Sequence, residues 1–107
     1  MSSSSSSSAK KITNNNKKIR AHLLISGKVQ GVYFRQNTKM VATRYGVTGL
    51  VHNLKDGRVE VILEGKETDV GKVIEWCHVG PAKAIVNDVY IKYEKYTGEF
   101  QEFKVNY

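Results

Sequence analysis

The 107-residue chain has one cysteine, one proline and no long apolar run. A single thiol cannot close an intramolecular disulfide, so no disulfide framework is available. No stretch approaches the ~18 consecutive apolar residues of a membrane-spanning helix. The length suits one domain and leaves no room for a second core. Apolar residues are also scarce at one end. Residues 1–18 hold only Met1, Ala9 and Ile12, whereas 40 of the other 89 residues are apolar. The early segment lacks the apolar stretch of a secretory signal. Its unbroken serine run from Ser2 to Ser8, followed by Asn14 to Asn16, cannot bury enough surface to offset its ordering entropy. Residues 1–18 therefore read as a disordered Ser/Asn/Lys-rich leader and residues 19–107 as the folded domain, expected to be cytoplasmic.

Acidic residues are the minority, 10 against 17 lysines and arginines, giving a net charge of +7. Lys10, Lys11, Lys17 and Lys18 place over half of that excess on the leader. The folded part keeps a modest positive balance, which suits a small anionic ligand as well as it suits a polyanion.

From residue 22 onward the apolar period alternates between that of strands and that of helices. Residues 22–26 read as a buried strand ended by Gly27. Phe34, Thr38, Val41 and Tyr45 form a helical stripe stopped by Gly46. Residues 47–53 and 58–64 read as a hairpin around Asp56-Gly57, with Glu60 and Glu64 on a solvated face. Thr68 looks like an N-cap for a second helix that buries Val70, Val73, Ile74 and Cys77 and ends at Gly80-Pro81. Val89, Ile91 and Tyr93 mark a fourth strand; Phe103, Val105 and Tyr107 mark a fifth. The order β-α-β-β-α-β predicts an α+β fold, a two-layer ferredoxin-like sandwich with an antiparallel sheet and an additional C-terminal strand.

Chemistry concentrates between the first strand and the first helix, in Gly27-Lys28-Val29-Gln30-Gly31-Val32-Tyr33-Phe34-Arg35. A loop opening a helix exposes N–H groups that lack an intrahelical partner, and the helix dipole adds positive potential there. Gly27 and Gly31 would let the backbone curl around an anion. A cation in the first turn, Arg35, is disfavoured by the dipole unless an anion lies between it and the N–H groups. The alternative is an ordinary strand-to-helix turn with Arg35 in solvent. The segment is neither a Walker loop nor a dinucleotide fingerprint. Asn53, near a strand end, is either turn chemistry beside Asp56-Gly57 or a placed amide.

This segment resembles the signature G-[RK]-V-Q-G-V-x-F-R of the acylphosphatases. Gly49-Leu50-Val51-His52-Asn53-Leu54-Lys55-Asp56-Gly57-Arg58-Val59-Glu60 is similar to the same family's second signature, G-x-V-x-N-x-x-D-G-x-V-E. One departure is Leu50, where many members carry Trp. The resemblance, over residues 20–107, implies a metal-independent acylphosphate phosphohydrolase without a cofactor, acting on a small acyl phosphate. It also implies that Gln30, Gly31, Val32, Tyr33, Phe34 and Arg35 bind the phosphate. Arg35 and Asn53 would be catalytic, with Asn53 orienting the attacking water.

Other constellations point elsewhere. His22, His52 and His78 have no metal-ligand spacing with one another or with Cys77. Cys77 reads as core, Trp76 as packing, and His52 as facing away from its neighbour Asn53. An RNA-binding domain of the same strand order would stack bases on central-strand aromatics. The strand Arg58-Val59-Glu60-Val61-Ile62-Leu63 has none, and Tyr90, Tyr93 and Tyr96 lie elsewhere. The expectation is a monomer that binds neither nucleic acid nor membrane. A non-catalytic anion-binding module of the same fold is the remaining alternative.

Overall fold

The computed structural model describes residues 17–31 and 33–106; residues 1–16, Val32 and Tyr107 lie outside the described residues. Most of the leader therefore falls outside them, as does the Tyr107 position of the fifth strand. Apolar side chains at every second position of three strands share one side of a sheet. These strands are β1 (Lys18–Lys28), β2 (Thr48–Asn53) and β3 (Val59–Lys66). Ala21, Leu23 and Ile25 of β1, Val51 of β2, and Val59, Val61 and Leu63 of β3 are fully buried there. Helices α1 (Phe34–Arg44) and α2 (Glu67–Val79) cover that side. They contribute Phe34, Thr38 and Ala42 from α1, and Val70, Val73, Ile74 and Cys77 from α2. Full burial of each such Leu, Ile, Val or Phe contributes ~1.5–3 kcal/mol. The Cys77 thiol is part of this core, and burial pushes its pKa up to about 12, which leaves it an inert apolar group.

The sheet is completed by β4 (Ile85–Lys95) and β5 (Phe103–Val105), in the order β4-β1-β3-β2-β5. Four strands pair antiparallel, as expected, but β5 lies parallel to β2, so the sheet is mixed. The chain reaches that edge by crossing the far end of the sheet through residues 96–102. No helix of the described residues is long and apolar enough to cross a membrane.

Several boundaries differ from the sequence reading. Because β1 has a partner on each side, pairing extends it to Lys18 and Lys28, and Lys17 and Lys18 join the folded part. Thr68 is not the cap of α2. The cap position is Lys66, two residues earlier, which makes no side-chain cap bond, and the Glu67 N–H is satisfied by the Lys17 carbonyl at 3.0 Å. Tertiary contact thus replaces local capping. At the other end of α1, Gly46 behaves as predicted. It adopts φ 72°, its N–H reaches the Thr43 carbonyl at 3.0 Å, and the Val47 N–H reaches Ala42 at 2.7 Å, a Schellman closure.

The largest departure concerns the two glutamates assigned to solvent. Glu64 is 0% exposed. Its Oε2 accepts hydrogen bonds from Arg20 Nη1 (3.3 Å), Thr97 Oγ1 (2.8 Å) and the Thr97 N–H (3.3 Å), so the crossover segment lies over it. That segment is remote in sequence, and strand alternation gives no sign of it. Glu60 is half-buried on the open face, its two carboxylate oxygens hydrogen-bonded to Nε2 of His22 and of His52. Burial pushes the Glu60 carboxyl up, but the bonds and charges of the two histidines outweigh it and hold the group below its ordinary value.

A carboxyl depressed in the folded state adds stability above its unfolded pKa and loses it as pH falls through the folded one. In denaturant titrations the stabilising effect of Glu60 over a Glu60→Gln variant is expected to hold near pH 6. It should decay below about pH 4.3, where the unfolded carboxyl protonates. A difference independent of pH down to acid unfolding would show that the histidines do not hold the carboxylate.

Candidate active site

The loop from β1 to α1 is held at both ends by buried side chains, Val29 and Phe34, each 1% exposed. The Phe34 ring lies 5.4 Å from that of Trp76 on α2, so Trp76 serves packing, as the sequence predicts. Between the two anchors Gly31 turns at φ 77° and Tyr33 at φ 58°, ψ 23°. A left-handed Tyr costs ~1–2 kcal/mol relative to ordinary backbone. The Tyr33 carbonyl recovers part of that by accepting from the Asn37 N–H at 3.0 Å and Asn37 Nδ2 at 2.8 Å. Gly27 has a different task from the one its motif position suggests. It sits at a register shift in β1, where a Cβ would come within 2.2 Å of the Ile85 carbonyl. Its missing side chain admits β4 rather than an anion.

Helix α1 opens without a side-chain cap at Tyr33 and without an acidic residue in its first turn. Its dipole therefore points positive potential into the concavity of about 290 Å³ lined by Val29, Gly31, Tyr33, Phe34, Arg35 and Gln36. That volume is at the low end of small-molecule sites. Arg35 is half-buried at its rim, with Nη1 donating to the Asn106 carbonyl at 3.3 Å. The Asn106 N–H in turn reaches the Val51 carbonyl at 2.9 Å, so the end of β5 supports the guanidinium. The sequence reading had no signal for this contact, which joins positions 71 apart.

Asn53 enters by strand register. It pairs with Val59, and Val59 pairs with Ile25 on its other side, so the three form one row across the sheet. Val59 and Ile25 are buried beneath the helices, which places Asn53 on the same side as the loop. His52, one residue earlier, is on the open face with Glu60, as the alternation predicts. Asn53 is exposed, and its amide makes no hydrogen bond to another described residue. Gln30 then ties the two halves together. Its Nε2 donates to the Leu54 carbonyl at 3.3 Å and to the Arg58 carbonyl at 3.2 Å, across the turn that follows Asn53. The Gln30 side chain is thus turned toward that turn, leaving its main chain to the loop. Val32 lies outside the described residues.

A family model described as acylphosphatase matches residues 21–105. The chain belongs to the acylphosphatase family. An acylphosphatase of Pyrobaculum arsenaticum is 60% identical over 87 residues, 80% of this chain and 92% of that protein. One of Pyrobaculum islandicum is 56% identical over 90 residues, 83% of this chain and 95% of that protein. Among solved structures, an acylphosphatase of Bacillus subtilis superposes with a TM-score of 0.80 at 29% identity, covering 83% of this chain and 99% of that one. The chain is therefore a metal-independent hydrolase of the acylphosphatase kind, on the ferredoxin-like frame that its strand order implied.

The Gln30 side chain sets the loop against the turn that follows Asn53. Gln30→Ala is expected to lower kcat roughly 10–100-fold, the scale of a small misplacement of reacting groups, while inhibition by inorganic phosphate changes little. Steady-state kinetics with phosphate as the competing ligand separate the two. Equal losses in kcat and phosphate affinity would mean that Gln30 supports the loop alone.

Proposed function

We propose that the chain hydrolyses the carboxyl–phosphate bond of small acyl phosphates with Arg35 and Asn53 as its catalytic residues. The phosphoryl group enters the concavity at the start of α1. Main-chain groups of Gln30, Gly31, Val32, Tyr33 and Phe34 hold it together with the Arg35 guanidinium. The observation that carries this assignment is the uncapped, acid-free first turn of α1 beside a half-buried Arg35. A positive pole next to a guanidinium is disfavoured until an anion joins them.

Asn53 accepts a hydrogen bond from the attacking water and orients it. Water attacks phosphorus in line, the P–O bond to the acyl group breaks, and the products are a carboxylate and inorganic phosphate. A carboxylate leaves readily, so neither a strong general acid nor a metal is obligatory. Positioning and electrostatic stabilisation of the equatorial oxygens account for the acceleration. The protein acts as a cytoplasmic monomer and engages neither nucleic acid nor membrane. A concavity of about 290 Å³ supports a small substrate over a polymer.

The test is turnover of benzoyl phosphate in the presence of chelator. Arg35→Ala should reduce kcat/KM by at least ~10²–10³-fold, the usual effect of losing one oxyanion donor, and weaken phosphate inhibition with it. Asn53→Ala should reduce kcat on a similar scale with phosphate inhibition retained. Phosphate binding that depends on Arg35, without any turnover by the unaltered chain, would instead identify an anion-binding module.

A further inference from the structure

The carbonyl that supports Arg35 belongs to Asn106, directly after the shortest strand of the sheet. β5 has three residues, lies on the sheet's edge and pairs with β2 alone. A strand with so few ladder bonds belongs to the least stable part of a fold unless something else holds it. Phe103, 4% exposed, anchors its start on the helix side. On the open face the chain entering β5 is held by a second tie, remote from the concavity.

That tie gathers on one hydroxyl and one carboxylate oxygen. Thr97 Oγ1 donates to Glu64 Oε2 at 2.8 Å and accepts from Arg20 Nη1 at 3.1 Å and from the Glu99 N–H at 3.3 Å. Arg20 also pairs with Glu99 at 3.3 Å, and its guanidinium carbon lies 5.9 Å from the centre of the Phe100 ring. Residues 97, 99 and 100 of the crossover are thus fixed to β1 and β3, which leaves only Gln101 and Glu102 before β5. Glu64 is next to Leu63, which opens the row Leu63, Gly49 and Phe103. The tie therefore lies at the entry of β5, and Asn106 at its exit.

Glu64 is poorly explained as a stabiliser. A fully buried carboxylate carries a desolvation cost that pairing seldom more than offsets. All its side-chain bonds fall on Oε2, and Oε1 has no hydrogen-bond partner among the described residues. A partly satisfied buried network is less favourable than an apolar core. What this network does specify is where the crossover lies.

We propose that Arg20, Glu64 and Thr97 are positioning residues of the hydrolytic site. By pinning the crossover they hold β5 in place and so keep the Asn106 carbonyl on the Arg35 guanidinium. The inference rests on Arg35 as the phosphate-holding side chain. The latch acts from a distance, since Glu64 lies five positions along β3 from Val59 in the Asn53 row, about 17 Å away. With the latch open, the end of β5 frays and Arg35 loses this support, which lowers the fraction of sites ready to bind phosphate.

Thr97 is exposed, so Thr97→Val removes the hydroxyl without opening a cavity. The readout is the affinity for inorganic phosphate, taken from amide chemical-shift titration, which needs no turnover. Thr97→Val should weaken it about 3–10-fold, the scale on which a remote change modulates a coupled site. Hydrogen exchange at the Asn106 N–H, bonded to the Val51 carbonyl, should speed up as well. Thr97→Ser keeps the hydroxyl and should retain the affinity of the unaltered chain. In an Arg35→Ala background Thr97→Val should have no further effect, because the group it positions is gone. A lowered denaturation midpoint with phosphate affinity unchanged would show a latch that serves stability alone, and overturns the proposal. An equal loss from Thr97→Val with and without Arg35 overturns it too. Phosphate affinity indifferent to Arg35→Ala removes the phosphate-holding reading of Arg35, and the latch's role with it.

Discussion

The antiparallel pairing of β3 with both β1 and β2 is the constraint on which the rest depends. The row Ile25, Val59 and Asn53 joins the strand that feeds the loop before α1 to the strand that carries the Asn53 amide. Adjacent strands lie ~4.8 Å apart, so this row holds Ile25 and Asn53 about 10 Å from each other. A slip of one residue between β2 and β3 would turn Asn53 to the open face and His52 toward the helices. The fully buried Val51 of β2 resists that slip, because the slip would carry it to the open face. Packing of the core therefore fixes the geometry of the chemistry.

The site itself adds little stability and draws on its surroundings. A left-handed Tyr33 that is 75% exposed, a cation in the first turn of a helix and an uncapped N-terminus are each locally unfavourable. Tyr33 and the uncapped start of α1 lie between the buried anchors Val29 and Phe34, Arg35 follows directly, and the Gln30 and Asn106 contacts brace the segment. Local rules fail together in one segment, where their failure leaves positive potential facing a concavity. This concentration argues for a ligand-binding purpose, since scattered violations would carry no such direction.

The same contrast separates what the sequence could reveal from what it could not. Alternation along β3, the period of α2 and the glycine after α1 are local signals, and each element formed where those signals lay. Gly31 and Arg35 were legible because they break local preferences beside a helix start. Gln30 was legible only as a member of the loop, since its partners, the Leu54 and Arg58 carbonyls, are main-chain atoms more than 20 positions away. Glu64 was misread for a related reason: alternation assigns it to the open face correctly, but not the crossover segment that covers it. The parallel β5 and the Lys17 cap of α2 likewise arise from contacts between distant parts of the chain, on which neither propensity nor period bears.

Among the described residues no histidine or carboxylate side chain lines the concavity. An acidic side chain at this position would work against the phosphoryl binding proposed for the N–H groups and Arg35. In the proposed reaction the leaving group is a carboxylate, which departs without a proton where an alkoxide does not. In the proposed mechanism rate comes from placement and electrostatics, to which the strand register, the Gln30 bridge and the Asn106 support would contribute although none of them touches the bond that breaks.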